Sequence, residues 1–388
     1  MDRNDMIRNI DARRETWYTV SQAIGHRPEL GNEEFFAQQT LTEALRNEGF
    51  QVTEGVAETP TSFEAVYDSG KKGPHIGYMS EYDALPDIGH ACGHNLIGTQ
   101  SIAAAVALKE AVDTYGGAVY VYGTPAEETN GAKVTMADAG LFDHLDAAMM
   151  AHPASDYVRS GSSQAMDAIE LRFYGKSAHA AAAPEQGINA LDAVIQTFNG
   201  INALRQHIPS HARIHGVIPD GGSAANVVPD YASARFYVRA SDRATTNQLA
   251  DKLHRTAKGA ALATGARLET SNYEFSYDEM RTNEPLSDLF TDSLVSLGIP
   301  EAEIQTERDG TGSIDMGNVS LRCPAIHPYV KISDTAVNGH THEFREAALS
   351  DRGFEGMMTG AKALALTGFK LLSDPDSLQA VKQGFQKK

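Results

Sequence analysis

Cysteine, histidine and glutamate residues occupy positions from which they could hold a divalent metal ion. Cys92 and His94 are separated by one glycine in the segment EYDALPDIGHACGHN, residues 81–95. This spacing allows a thiolate and an imidazole to approach the same ion. The two residues could equally be a buried small side chain and a helix-capping histidine, because short motifs of this kind have many false matches. The pair alone leaves both interpretations open.

A pair of adjacent carboxylates, Glu127 and Glu128, follows the apolar run AVYVY in the segment PAEE. Two neighbouring carboxylates are costly to keep ionised together unless a cation lies between them. With a metal ion present, one glutamate could bind the ion while its neighbour transfers protons. The alternative is a pair of solvated loop acids, which is common in a chain with a formal net charge of -18.

Histidines follow two further apolar runs. His152 comes directly after AAMMA, residues 147–151, and the segment GHTHEF, residues 339–344, follows the run 325–332. A single histidine in such a place is more often a core or turn residue than a ligand. Here, ligand-type residues follow four predicted strands, so we favour a metal site over separate coincidences.

The predicted elements place these residues at one edge of a sheet. Strand patterns at 74–80, 118–122 and 147–151 alternate with helical patterns such as 95–115. This alternation is typical of parallel βαβ units with helices on both faces of the sheet. Ligands collect at the carboxyl ends of the strands in such sheets. The sequence predicts an α/β catalytic domain with a mixed, mostly parallel sheet flanked by helices.

A different pattern occupies residues 165–279, with a strand, a helix, two strands, a helix and a strand. This order, βαββαβ, is typical of a ferredoxin-like domain. The α/β alternation resumes from Leu286 to the C-terminus. We therefore predict a catalytic domain made of residues 1–164 and 280–388, with an inserted domain at 165–279.

Composition excludes several classes of protein. Hydrophobic residues make up 41% of the 388 residues, without an apolar run long enough to cross a bilayer. The charged stretch Met1–Arg14 lacks the apolar core of a secretory signal, so we expect a cytoplasmic protein. The two cysteines, Cys92 and Cys323, are far apart and do not indicate a disulfide framework. The net charge of -18 disfavours nucleic acid and anionic membranes as partners.

Several segments together resemble one known family. In this order and spacing, HACGHN, PAEE, AHP, SAHAAAAPEQGINAL, NVVP and GHTHEF are similar to the M20 metallopeptidase and aminoacylase family. EYDALP and DMGNVS resemble its branch of p-aminobenzoyl-glutamate hydrolases and related dipeptidases. The resemblance extends from the first helix to Ala363. It implies a metal-dependent amidohydrolase for a small N-acyl amino acid or dipeptide, whose inserted domain is a lid and dimerisation domain.

The resemblance also implies a set of metal ligands. By position these are Cys92, His94, Glu128, His152 and His340. His340 is chosen over His342 because the family's ligand histidine stands four residues before an aromatic residue, here Phe344. Two divalent ions per subunit are expected. Zinc or manganese fits a set of thiolate, imidazole and carboxylate ligands, and cobalt or nickel is also compatible.

Catalytic roles follow from the same comparison. Divalent ions would polarise the scissile carbonyl and activate a water molecule. Glu127 would act as general acid/base, taking a proton from that water and returning it to the leaving nitrogen. His179 would help to stabilise the tetrahedral intermediate, in relatives often across a dimer. Asp83 would support the metal site, while Glu81, where many relatives have histidine or aspartate, stays unassigned.

Substrate-binding roles are implied for four residues. Asn226 and Arg239 would hold the terminal carboxylate of the substrate. The GTGS stretch, 310–313, would line the site through its backbone, including Gly312 and Ser313. Arg239 could instead be a solvated strand end. By analogy with the family, the protein is expected to be a homodimer.

Two other functions remain possible on the sequence alone. Cys92 could be a nucleophile activated by His94 or His152, as in a thiol amidase. That mechanism leaves the glutamate pair and His340 without a role. A non-catalytic binding protein on the same fold is the other alternative, although Glu127 and the full ligand set are present. The sequence does not distinguish an N-acyl amino acid hydrolase from a dipeptidase, because the acyl-side pocket is formed by scattered side chains.

Overall fold

The chain folds as two units, and the structure, a computed structural model, describes residues 2–306 and 312–386. Met1–Ser162, Met280–Thr311 and Asp315–Lys388 form the first unit, and Ser163–Glu279 with Gly312–Ile314 form the second. The sequence assigns Gly312 and Ser313 to the catalytic domain. The structure instead places them in the second unit, where the Gly312 carbonyl accepts a hydrogen bond of 2.8 Å from the Gln164 amide.

Strands and helices alternate along much of the chain. The strands are β1 (Gln51–Glu54), β2 (Phe63–Asp68), β3 (His75–Ser80), β4 (Ala118–Gly123), β5 (Ala147–Met149), β6 (His152–Ala154), β7 (Tyr157–Val158), β8 (Ala165–Tyr174), β9 (Arg213–Asp220), β10 (Tyr231–Ala240), β11 (Arg267–Asn272), β12 (Ile304–Gln305), β13 (Ala325–Ile326) and β14 (Tyr329–Lys331). The helices are α1 (Arg3–Ala12), α2 (Arg14–Gly25), α3 (Phe35–Asn47), α4 (His94–Tyr115), α5 (Ala132–Asp138), α6 (Ala190–Leu204), α7 (Arg243–Thr264), α8 (Glu284–Ser296), α9 (Met316–Ser320), α10 (His342–Leu349), α11 (Asp351–Ser373) and α12 (Pro375–Gln386). None of the helices in the described ranges is both long enough and apolar enough to cross a membrane.

The first unit is built on a six-stranded sheet of order β1-β2-β4-β3-β5-β13. The strands β4, β3, β5 and β13 are mutually parallel, and β1 and β2 are antiparallel to their neighbours. In β3 every residue after His75 is buried, as expected for an interior strand of a covered sheet. The predicted mixed, mostly parallel sheet flanked by helices is confirmed.

Two of the predicted strands are shorter than expected. The run 147–151 ends as a strand at Met149, and the run 325–332 divides into β13 and β14. The division arises because the chain leaves the six-stranded sheet and enters a second sheet of order β12-β7-β14-β6. His152 therefore begins β6 and pairs with Tyr329 of β14, instead of closing β5.

The second unit has the predicted βαββαβ order. Its four strands form an antiparallel sheet of order β11-β8-β10-β9. Alternate residues of β10, such as Phe236 and Val238, are buried in a hydrophobic cluster with Leu249 and Leu253 of α7. The intervening residues of β10 therefore lie on the opposite face of the sheet, because successive side chains alternate along a strand.

A buried ionic cluster ties the end of β3 to α5 and to the residue before α9. Lys133 Nζ lies 2.6 Å from Glu81 Oε1 and 2.7 Å from Asp315 Oδ1, and all three side chains are buried. Burial disfavours the ammonium form, but Asp315 and Glu81 together raise the pKa of Lys133. At Gly131 an added Cβ would lie 2.4 Å from Asp315 Oδ2, so only glycine permits this approach.

We predict that Lys133→Met destabilises the first unit by about 3–5 kcal/mol, because the substitution leaves two buried carboxylates without a cation. The midpoint of urea unfolding measures the effect. Lys72→Met, at an exposed position, is the matched control and should change stability by less than about 0.5 kcal/mol. Equal midpoints for the two variants would contradict the prediction.

Candidate metal centre

The structure brings together the side chains that the sequence predicts as metal ligands. Three overlapping groups have ligand atoms within 4.8 Å of one another: Cys92, His94 and His152; Cys92, Glu128 and His340; and His94, Glu127 and Glu128. Two contacts within these groups are Cys92 Sγ to His152 Nε2 at 3.4 Å and His340 Nε2 to Glu128 Oε1 at 3.1 Å. His342 is in none of these groups within the part of the chain that the structure describes.

The glycine between Cys92 and His94 is required by the backbone. Gly93 has φ 77° and caps the N-terminus of α4, whose first residue is His94. An added Cβ at Gly93 would lie 2.8 Å from Cγ of Pro153, which follows His152. A left-handed residue without a side chain therefore lets the Cys92 turn pack closely against the start of β6.

Asp83 orients two of the candidate ligands. Its Oδ1 accepts a hydrogen bond of 2.9 Å from His94 Nδ1, and its Oδ2 accepts one of 3.0 Å from the Glu128 amide. Burial opposes ionisation, but His94 and the Glu128 amide lower the pKa of Asp83. With Nδ1 occupied, His94 directs Nε2 towards the other ligands, as carboxylate–histidine pairs do at metal sites.

Two buried polar atoms at the centre face each other without bonding. His94 Nε2 and Glu81 Oε2 are 3.6 Å apart, and within residues 2–306 and 312–386 neither has a hydrogen-bond partner. Buried polar atoms are seldom left without a partner. An ion bound at His94 Nε2 would account for the unpaired nitrogen, so the residues present fit a metal site.

His152 and Cys92 have pKa values that suit metal binding more than nucleophilic catalysis. His152 Nδ1 donates to the Pro153 carbonyl at 2.7 Å, which leaves Nε2 facing Cys92. Burial, with His327 and His94 nearby, lowers the pKa of His152 to about 3, so the imidazole is neutral. Burial raises the pKa of the Cys92 thiol. A thiolate at this position therefore needs a cation, and Cys92 lacks the lowered pKa of an activated nucleophile.

The two glutamates of PAEE are in different electrostatic environments. Burial and the neighbouring carboxylates of Glu128 and Glu81 raise the pKa of Glu127 well above its ordinary value. Burial also opposes ionisation of Glu128, but the hydrogen bond from His340 and the charge of His94 lower its pKa. The environment of Glu127 therefore favours its protonated form, and the environment of Glu128 favours its ionised form.

The PAEE turn is held by a residue that the sequence did not indicate. Ala126 has φ 62°, a conformation that is uncommon for a residue other than glycine. Glu34 accepts hydrogen bonds from the Ala126 amide and from Thr61 Oγ1, each at 2.9 Å. Burial, with Asp83 nearby, raises the pKa of Glu34 to about 7. Glu34 lies more than ninety residues from Ala126 in the chain, so no local pattern could have identified it.

His340 reaches the centre from a strained turn. It has φ 62°, and its amide donates to the Ala91 carbonyl at 2.9 Å. Its side chain remains 56% exposed. The backbone contact with Ala91 places His340 beside the Cys92 segment, whereas His342 begins α10 and is exposed.

The other predicted site residues belong to the second unit. His179 is exposed, and its Nδ1 accepts from the amides of Ala181 and Ala182 at 3.2 Å. Asn226 lies beside it, since its carbonyl accepts a hydrogen bond of 3.0 Å from the Ala180 amide.

Arg239 and Ser313 are also brought together in the second unit. Arg239 Nη1 donates to Ser313 Oγ at 3.2 Å, and its buried Nε has no hydrogen-bond partner among the described residues. Of the GTGS stretch, Gly310 and Thr311 lie outside the described residues, so the predicted role of that part of the stretch has no structural account.

Comparison with known proteins extends over nearly the whole chain. A peptidase dimerisation domain model matches residues 164–264. The chain is 35% identical to the Xaa-Arg dipeptidase of Homo sapiens over 396 residues, 98% of this chain and 91% of that protein. It is 29% identical to a subunit of the p-aminobenzoyl-glutamate hydrolase of Escherichia coli over 452 residues, 97% of this chain and 93% of that protein.

A solved structure shows the same fold. The structure of a dinuclear metal-binding peptidase of the M20 family from Bacillus subtilis covers 93% of this chain and 99% of its own, with a TM-score of 0.69 and 18% identity. The relatives found by sequence are named as hydrolases and peptidases. From the identity to the human dipeptidase over almost the full length, we conclude that this chain belongs to the M20 family of metal-dependent peptidases and amidohydrolases, as its motifs predicted.

Proposed function

We propose that the protein hydrolyses the amide bond of a small dipeptide or N-acyl amino acid at a centre of two divalent ions. The observation that supports this most directly is the approach of six ligand-type side chains within 4.8 Å in overlapping groups. Cys92 belongs to two groups, one with His94 and His152 and the other with Glu128 and His340. Two separate groups of candidate ligands support two ions. The ligands we assign are Cys92, His94, Glu128, His152 and His340. Zinc, manganese, cobalt and nickel are the candidate metals for this mixture of sulfur, nitrogen and oxygen donors.

Glu127 is the proposed general acid/base. When bound, divalent ions would polarise the scissile carbonyl and make a water molecule more acidic. Glu127 takes the proton of the attacking water and delivers it to the leaving amine nitrogen. Its burial among other carboxylates favours the protonated form after that transfer, while Glu128 remains ionised as a ligand.

The second unit supplies the proposed contacts with substrate oxygen atoms. The Nδ1 atom of His179 accepts from two backbone amides, so the proton of the neutral imidazole lies on Nε2, from which it can stabilise a developing oxyanion. Asn226 and Arg239 hold the terminal carboxylate. The unpartnered Nε of Arg239 supports this role, and Ser313, next to Gly312, fixes the guanidinium through Nη1.

The names of the relatives narrow the substrate. The human relative is named for dipeptides that end in arginine, and the bacterial one for an aminobenzoyl derivative of glutamate. In both names the amine side of the scissile bond is an amino acid. We therefore propose a substrate with a free α-carboxylate next to the scissile amide.

We propose a homodimer formed through β9, because apolar side chains of this strand are exposed. β9 is an edge strand that pairs with β10 on one side. Val217 is 63% exposed and Ile218 is 42% exposed. An uncovered edge strand with exposed β-branched residues can pair with a second copy, and the peptidase dimerisation domain match includes β9.

We predict that Glu127→Gln keeps its metal content but loses turnover by roughly a hundred- to ten-thousandfold, the range for loss of a general acid/base. Metal analysis and kcat are measured on the same sample. Glu128→Gln is the matched control at the next position, and it should lose metal as well as activity. Near-normal turnover of Glu127→Gln would show that the proposed proton transfer is wrong.

We predict that chelation abolishes activity and that zinc, manganese, cobalt or nickel restores it. Cys92→Ser should lower metal affinity at least roughly tenfold, with activity falling as a consequence. Cys323→Ser, at the second cysteine of the chain, should affect neither. Activity that survives chelation but is lost on treatment with a thiol reagent would instead favour Cys92 as a nucleophile. A panel of acyl-glutamate, acyl-leucine and dipeptides provides the assay.

We predict that Val217→Lys converts a dimer into a monomer, because a charge on β9 opposes pairing of two edge strands. Light scattering coupled to size-exclusion chromatography gives the mass of each species. Tyr115→Lys, at an exposed apolar position of the first unit, should remain dimeric. A monomeric wild-type protein, or a dimeric Val217→Lys variant, would contradict the prediction.

A further inference from the structure

One face of the second unit's sheet, β11-β8-β10-β9, does not pack on the helices and carries a group of aromatic and charged side chains. Arg235, Tyr237 and Arg239 alternate with the buried residues of β10 and so share this face. Tyr273 packs against Tyr237, with ring centroids 5.8 Å apart. His215 of β9 packs on Tyr237 from the other side of β10, at 5.6 Å.

A carboxylate lies at the edge of this aromatic group. Tyr237 Oη donates to Glu274 at 2.8 Å from Oε1 and 2.9 Å from Oε2. Throughout residues 2–306 and 312–386, no cationic side chain lies within ion-pair distance of Glu274. The hydroxyl occupies only part of the hydrogen-bonding capacity of the carboxylate, which can accept about four hydrogen bonds.

The arginines of this face are bound to other residues. Arg235 Nε donates to Glu170 at 2.8 Å, and its guanidinium lies 5.0 Å from the Tyr273 ring. Arg239 donates to Ser313, and its guanidinium lies 5.1 Å from the Tyr237 ring. Burial raises the pKa of Glu274, although Tyr237 and the two arginines act in the opposite direction. A further cation near Glu274 would stabilise its charged form.

Tyr237 separates two groups of opposite charge. The guanidinium of Arg239 lies over its ring, and the carboxylate of Glu274 lies at its hydroxyl. A carboxylate at the hydroxyl of Tyr237 suits a guanidinium or ammonium group, which can form an ion pair with it and a cation–π contact with a nearby tyrosine ring. A ligand with a carboxylate and a cationic side chain would complement both groups, the carboxylate binding Arg239 and the cation binding Glu274.

We propose that Glu274, with Tyr237 and Tyr273, binds the cationic side chain of the substrate's C-terminal residue, beside the carboxylate bound by Arg239. This inference rests on the proposed amide hydrolysis and specifies its substrate as a dipeptide that ends in arginine or lysine. The same carboxylate repels an acidic C-terminal side chain, so acyl-glutamates are poor substrates.

Citrulline provides the test, because it has nearly the shape of arginine without the charge. The full-length, metal-loaded protein should prefer Ala-Arg over Ala-citrulline by roughly ten- to a hundredfold in kcat/KM, as expected for a hydrogen bond to a charged group. Glu274→Gln should reduce this ratio to near one. Glu269→Gln is the matched control: Glu269 is an exposed carboxylate on β11 that pairs with Arg267, and its removal should leave the ratio unchanged.

A ratio near one for the wild-type protein, or an undiminished ratio for Glu274→Gln, overturns the inference. Calorimetric titration with L-arginine and L-citrulline separates this result from failure of the proposed function. If neither dipeptide is hydrolysed, the proposed hydrolysis fails, while tighter binding of L-arginine that is lost in Glu274→Gln still supports the subsite. Equal binding of the two amino acids by the wild-type protein overturns it.

Discussion

Charge balance at the carboxyl ends of the parallel strands is the constraint on which the first unit depends. The carboxylates of Glu81, Asp83 and Asp315 are buried there, and Glu127 and Glu128 are nearly so. An isolated buried charge is strongly destabilising, so such a group of acids requires cations. Lys133 provides one positive charge and pairs with Glu81 and Asp315. The acids that face His94 and His340 are the ones for which bound metal ions would supply the remaining positive charge.

Two buried carboxylates, Asp83 and Glu34, also fix the geometry of this edge. Asp83 contacts both the imidazole of His94 and the backbone of Glu128, so one side chain aligns candidate ligands from two different strand ends. Glu34 accepts a hydrogen bond from the amide of Ala126, the residue before Glu127, which has an unfavourable backbone conformation. The cost of that conformation, about 1–3 kcal/mol for such residues, is met by hydrogen bonds in a buried environment. These contacts therefore fix the positions of the candidate ligands His94 and Glu128 relative to each other.

The sequence predicts the proximity of these side chains where local pattern and strand topology coincide. Cys92, His94 and Glu128 each follow a recognisable strand or helix boundary, and parallel topology brings those boundaries to one edge. It predicts less well where the contact depends on packing alone. Lys133 and Asp315 are 182 residues apart, and no periodicity relates them. The apolar run 147–151 also gives no indication of the break between β5 and β6. The two strands differ in their pairing partners, β13 for β5 and β14 for β6, and these partners lie far away in the sequence.

Under the proposed function, the residues that select the substrate and the residues that bind metal belong to different units. The alternation of β10 buries Phe236 and Val238 against the helices, and the same alternation places Tyr237 and Arg239 on the other face. The hydrophobic residues fix the strand, so the side chains between them can vary without loss of the core. Glu274 lies just beyond the end of β11 and contacts only the hydroxyl of Tyr237 among the hydrogen bonds described. A substitution there would change the charge of this face while leaving untouched the proposed metal ligands, since those belong to the other unit.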